Sequence, residues 1–213
     1  MEMRRRGFLL GAAAGACAAC GGGDGDGARG ARALPERAAI SPPGTDPARL
    51  RARCTGCNLC VAKCPTKVLK AATLEYGLSG TMMPVMDFSR GYCEKDCVRC
   101  GDACPTGAIR RMAKEEKAKE KIGLAELVAG WEEKCLARKE GHPCALCEKH
   151  CAYGAVKVTE VKDKDGKTVR SPAVDASACV GCGACEHVCP AKAIAVEATA
   201  NMISTKTIEG EFR

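Results

Sequence analysis

The sequence predicts an α+β chain built as two similar halves, residues 51–111 and 124–197, joined by a charged helix over 112–123. Three observations carry that prediction. A group of four cysteines recurs four times, which gives two pairs of quartets. Short apolar or alternating segments lie between the quartets, as short strands require. Aromatic residues make up only 3% of the 213, with one Trp, three Tyr and three Phe, so a conventional core is too small to hold the chain alone.

The quartets are Cys54, Cys57, Cys60, Cys64; Cys93, Cys97, Cys100, Cys104; Cys135, Cys144, Cys147, Cys151; and Cys179, Cys182, Cys185, Cys189. They take sixteen of the eighteen cysteines. The first and fourth have the form Cys-x2-Cys-x2-Cys-x3-Cys-Pro, the ligand signature of a [4Fe-4S] cluster in bacterial-type ferredoxins. Three thiolates two residues apart, on a tight loop, wrap one face of a cubane. A short helix carries the fourth away, and in two-cluster ferredoxins that cysteine ligates the other cluster. The expectation is therefore four [4Fe-4S] clusters held by these sixteen cysteines in two ferredoxin-like 2[4Fe-4S] units.

Crossed ligation within each unit groups Cys54, Cys57 and Cys60 with Cys104, and Cys93, Cys97 and Cys100 with Cys64. It likewise groups Cys135, Cys144 and Cys147 with Cys189, and Cys179, Cys182 and Cys185 with Cys151. A nested arrangement, quartet one with four and two with three, is compatible with the same gaps. The third quartet departs from the pattern in its eight-residue first gap and in Ala152, which stands where the others have proline. The bland alternative there is a buried Cys135 beside an incomplete cluster. Structural zinc prefers two separated Cys-x2-4-Cys knuckles, and a disulfide framework has no need of four near-copies of one spacing.

The formal charge of +7 counts every cysteine as neutral. Four oxidised clusters with their thiolates contribute about −8, and loss of a leader carrying three Arg and one Glu leaves the mature chain near about −3. Basic composition thus gives no argument for nucleic acid, and the aromatic platforms that stack bases are nearly absent.

Along the chain, residues 1–20 read as an export signal. Arg5-Arg6 with Phe8-Leu9 behind them resemble a twin-arginine motif, and the following apolar stretch is too short to span a membrane. That route exports folded proteins, which suits cofactors inserted before export. Cys17 and Cys20 follow small residues at the end of this stretch. Two readings are open: lipid attachment to one of them, or an ordinary cleaved signal that discards both. Residues 21–50, rich in Gly, Ala and Pro, read as a flexible linker, with the first ordered element beginning near Leu50.

Met82-Met83-Pro84-Val85-Met86 is apolar, and its proline limits it to an edge strand. Its methionines read as packing. Thr106–Ile109 is the strand start expected after the second quartet. Residues 112–121 are strong helix formers with opposite charges three and four apart, a solvated joining helix. Leu124–Val128 reads as a strand. Val156–Val161 and Thr168–Arg170 form a hairpin about Asp165-Gly166, and Ala193–Val196 closes the sheet. His150 and His187 stand beside ligand cysteines, where they either tune sulfur or merely pack. Residues 198–213 are an uninformative tail.

These motifs resemble the NapG/MauM-type polyferredoxins, in which a twin-arginine leader precedes four [4Fe-4S] motifs. The residues that carry the likeness are Cys54-Thr-Gly-Cys57-Asn-Leu-Cys60, Glu75-Tyr-Gly-Leu78, Pro84-Val-Met-Asp87, Cys104-Pro-Thr-Gly-Ala-Ile109 and the wide gap from Cys135 to Cys144. The second quartet's Cys-x3-Cys-x2-Cys departs from the NapG spacing, which puts nitrate reduction in doubt. The resemblance implies an electron carrier, not an enzyme, in the periplasm or on the outer face of the cytoplasmic membrane. Its partners would be a NapH-like quinol-oxidising membrane protein and an exported redox enzyme. A permanently bound electron-transfer subunit is the second class and a zinc-binding structural module the third. No dinucleotide fingerprint or nucleophile–base pair is legible.

Overall fold

The computed structural model describes residues 38–139, 142–163 and 166–199. The export signal, with Cys17 and Cys20, and the tail beyond 199 lie outside the described residues.

The chain is packed well before Leu50. Ala39, Ile40 and Ser41 are buried, as are Pro42, Pro43 and Gly44. Met86 N–H donates to Ile40 O at 2.8 Å, Arg110 N–H to Gly44 O at 2.8 Å, and Gly44 N–H to Glu120 Oε1 at 2.9 Å. The linker expectation is thus corrected for residues 38–50, whose backbone groups find partners far along the chain that composition cannot reveal. Helix α1 (Pro47–Arg53) follows, with Asp46 accepting from Arg49 N–H at 3.0 Å, Pro47 opening its first turn and Arg51 and Arg53 in its last.

In the first half, α2 (Leu59–Lys63) leads into strand β1 (Leu69–Ala71), which pairs antiparallel with β2 (Pro84–Met86). Pro84 opens its strand, where a missing N–H costs least. Tyr76 is fully buried in the connecting loop and its hydroxyl donates to Pro84 O at 3.0 Å. Met83 and Met86 are core residues, whereas Met82 is exposed. Helix α3 (Arg99–Ala103) comes next. Residues 106–109 form turns and bends rather than the expected strand, because the backbone reverses at Gly107 (φ +67°) to deliver Ile109 to the core.

The charged connection contains a single helical turn, α4 (Lys114–Lys117), and then breaks, so the helix is shorter than the 112–123 its composition suggested. One turn supplies too few hydrogen bonds to hold itself, and tertiary contacts at Lys117 decide its place. Strand β3 (Gly123–Leu127), α5 (Trp131–Lys134) and α6 (Leu146–Lys149) open the second half. A hairpin of β4 (Val156–Lys162) and β5 (Thr168–Val174) follows, in register from Val156↔Val174 to Lys162↔Thr168. Helix α7 (Ala184–Val188) then leads to β6 (Ile194–Ala198), which pairs antiparallel with β3. Glu148 of α6 accepts from Val158 N–H at 3.1 Å and Glu186 of α7 from Val196 N–H at 2.6 Å, so equivalent acids tie each helix to its strand.

The two halves share one core. Phe88 and Ile109 from the first pack in the same cluster as Ile122, Ile194 and Val196. Burial of each such side chain is worth ~1.5–3 kcal/mol. Backbone bonds stitch the same boundary: Cys93 N–H donates to Cys182 O at 2.9 Å and Ile122 N–H to Val180 O at 3.0 Å. The His187 ring, through Nδ1, bonds Phe88 O at 3.0 Å.

Candidate metal centres

Four short helices position most of the cysteines. Helix α2 carries Cys60 and is capped by Cys64; α3 carries Cys100 and is capped by Cys104; α7 carries Cys185 and is capped by Cys189. Helix α6 carries Cys147, with Cys151 just beyond its end. Residues four apart on a helix lie one above the other, about one turn apart. One helix therefore offers sulfur to two neighbouring places, and this is the physical basis of crossing.

The sulfurs collect accordingly. Burial pushes the Cys60 thiol up to about 11, and charge on Cys54, Cys104 and Cys57 adds repulsion there. A cavity closed by Pro42, Pro43, Val68 and Met86 is lined by Cys64, Cys93, Cys97 and Cys100. A second, closed by Leu127, Leu136 and Ile194, is lined by Cys135, Cys144, Cys147 and Cys189. Around Cys185, which burial pushes up to about 12, stand Cys182, Cys179 and Cys151. Cys135 is buried among its group rather than isolated from it. All sixteen are free thiols, and among the described residues no group of His, Cys, Asp or Glu closes tightly enough to seat a single ion.

The fourth cysteine of each run is held by one recurrent turn. The residue three positions past it is left-handed in all four copies: Lys67 (φ 59°), Gly107 (φ 67°), Gly154 (φ 65°) and Lys192 (φ 49°). That reversal aims a following N–H back at sulfur. Ile109 N–H donates to Cys104 Sγ at 3.4 Å, Ala155 to Cys151 at 3.2 Å and Ala193 to Cys189 at 3.3 Å. Cys64 instead has the Thr66 hydroxyl at 3.6 Å. The turn persists at Ala152, so it does not depend on proline. Burial acts to raise the Cys104 thiol, but hydrogen bonds from Ile109, Thr106 and Ala108 outweigh it and leave it below its ordinary value.

This donor set fits [4Fe-4S] clusters: soft thiols in fours, set apart around a volume, with N–H groups directed at sulfur. Crowded protonated thiols whose charged forms repel one another have much to gain from iron, because ligation requires them deprotonated. The groups also stand in a definite order. Cys100 feels Cys60 of the first group, and Cys93 of the second faces Cys182 of the fourth. Tyr153 stands near enough to feel charge on both Cys182 and Cys93, with Lys95 Nζ over its ring at 5.3 Å. The spatial order is first, second, fourth, third.

Both candidate tuning histidines bond backbone carbonyls, His150 that of Leu146 at 3.0 Å and His187 that of Phe88. Phe88, Tyr153 and Lys117 were not singled out by sequence reasoning. For Phe88 a signal existed, since a chain with three Phe has little reason to leave one beside a cysteine quartet unpacked.

The sequence matches the family model of the 4Fe-4S dicluster domain over residues 53–108 and again over 142–193. It is similar to the methylamine utilization ferredoxin-type protein MauM of Methylophilus methylotrophus, 35% identical over 162 residues, which is 73% of this chain and 69% of that protein. It is also similar to the ferredoxin-type protein NapG of Escherichia coli K12, 37% identical over 157 residues, covering 70% of this chain and 65% of that one.

Proposed function

Since the chain belongs to the NapG/MauM group of ferredoxin-type iron–sulfur proteins, we propose that it is an electron wire of four [4Fe-4S] clusters between a membrane partner and an exported redox enzyme. The observation that carries this reading is the collection of sixteen cysteines into four groups, each drawing three members from one loop and the fourth from its neighbour. Each cluster, when bound, takes up or releases one electron with little rearrangement. The protein's part is to hold thiolates at fixed sites, direct N–H groups at sulfur and exclude water with Met86, Ile109, Ile194 and their neighbours. In this reading each half is a ferredoxin-like unit with crossed ligation. The first and third groups form the two ends, where electrons enter and leave.

A NapH-like quinol dehydrogenase as donor and a periplasmic enzyme as acceptor are supported by the kinship and by Arg5-Arg6 in the leader. The same leader supports a periplasmic place or one on the outer membrane face, with lipid on Cys17 or Cys20 as one route to attachment. Among the described residues no helix is long and apolar enough to cross a membrane. A second reading, a permanently bound subunit of a larger oxidoreductase, is favoured by one observation. Leu59 is exposed in the first loop, Met82 is exposed where it stands against Gly56 of that loop, and Leu78 is 82% exposed, apolar surface that suits lasting contact. Co-purification with a large partner through high salt supports that reading, and a free chain supports the carrier. Anaerobic purification with redox-titrated EPR tests both against a zinc module, which shows neither brown colour nor signals.

A further inference from the structure

We propose that the ammonium of Lys117 sets the reduction potential at the second cysteine group, Cys64, Cys93, Cys97 and Cys100, and so fixes where an electron rests between the two halves. The proposal rests on the four-cluster reading above and names a residue that acts on it. Lys117 is the one charged residue buried among those described, 4% exposed, although it lies in a run of lysine and glutamate that reads as a solvated face. Its Nζ donates to the carbonyls of Glu94 and, at 3.2 Å, of Lys95. Both carbonyls belong to the loop between Cys93 and Cys97. These two bonds hold the ammonium against the loop that carries Cys93 and Cys97. An ammonium has three donors, and this one loop takes two of them.

No described carboxylate pairs with Lys117. A buried cation without a counter-charge is costly, and one-turn α4 has little stability of its own to offset that cost. The missing negative charge is what four iron-bound thiolates at this group supply. Beside them, a fixed positive charge favours the reduced form, and low surrounding polarity strengthens the effect. Among the described residues no buried lysine or arginine stands at the other three groups, whose sulfurs have N–H and hydroxyl partners. The second group also faces the fourth through Cys93 and Cys182, so a raised potential here places the well at the junction.

The test is a redox titration followed by EPR on the iron-loaded wild type, K117M, K117Q and K117R, at low and high salt. In K117M and K117Q one signal of the four becomes harder to reduce by at least tenfold in its reduced-to-oxidised ratio at fixed solution potential, about 59 mV for a one-electron couple. K117R keeps it near the wild-type position. The shift survives high salt, because a buried charge is little screened. The moving signal is the one that C97S abolishes. A wild type without cluster signals overturns the four-cluster reading together with this one. Four wild-type signals of which none moves, or of which a signal surviving in C97S moves, overturn this proposal alone. Loss of that group's iron in all three variants, K117R included, also overturns it, since charge is then not what the loop requires.

Discussion

Loops one and four share a spacing and a backbone, yet they need different residues at the same place. In each, the glycine before the second cysteine is left-handed, Gly56 at φ +66° and Gly181 at φ +78°. In each, the residue after that cysteine is left-handed and opens the helix, Asn58 at φ 58° in loop one and Gly183 at φ 82° in loop four. Loop one lies partly open, with Cys57 and Leu59 exposed, and the Asn58 side chain donates to Gly56 O at 2.9 Å. Loop four lies against the other half. A Cβ on Gly183 would stand 2.0 Å from Phe88 Cδ1. The two loops share their left-handed positions with their cysteine spacing, and whatever packs on each loop sets its side chains. The open loop can carry a polar side chain at this place, whereas the loop packed against Phe88 must be bare there.

The largest test of this likeness removes sulfur. If both loops ligate in crossed fashion, C54S and C104S abolish the same EPR signal, and C179S and C151S abolish another. Each costs about a quarter of the iron, as one cubane of four. A C54S signal matched instead by C189S would replace crossing with nesting.

Next in size is G183A. A left-handed alanine costs about 1–2 kcal/mol, and overpacking against Phe88 adds about 1–3 kcal/mol. The guanidinium midpoint of the iron-loaded chain, followed by visible absorption, reads that loss. In an F88A background, itself costing about 3–5 kcal/mol, G183A retains only its backbone cost, so the two substitutions are coupled by about 1–3 kcal/mol. Simple additivity would mean that the ring is not what excludes a side chain there.

The smallest effect belongs to loop one. N58G relieves about 1–2 kcal/mol of left-handed strain and loses one hydrogen bond worth about 0.5–1.5 kcal/mol. The midpoint should therefore move by less than that of G183A and leave all four EPR signals in place. A loss as large as that of G183A would show loop one to be as confined as loop four.

Much of this was legible in the residues. The recurrent spacing marked the four quartets directly, whereas the gaps between them fitted adjacent and nested grouping alike. Alternation and turn chemistry marked β4 and β5, and the short apolar runs marked β2, β3 and β6. What escaped reading was decided by tertiary contact. Nothing distinguishes Lys117 from Lys114, Lys119 or Lys121 within their run; only the carbonyls of Glu94 and Lys95 draw it inward. Ile40 and Gly44 sit in a composition that reads as tether, yet Met86 and Arg110 bind them. Lys67 and Lys192 occupy left-handed turns where lysine is no signal at all.

The most direct test counts iron and acid-labile sulfide on anaerobically prepared protein while its fold is followed by circular dichroism. Four clusters require about 16 of each per chain, and chelation of the iron should then melt the helices and strands together. A colourless chain that stays folded without iron would contradict the account.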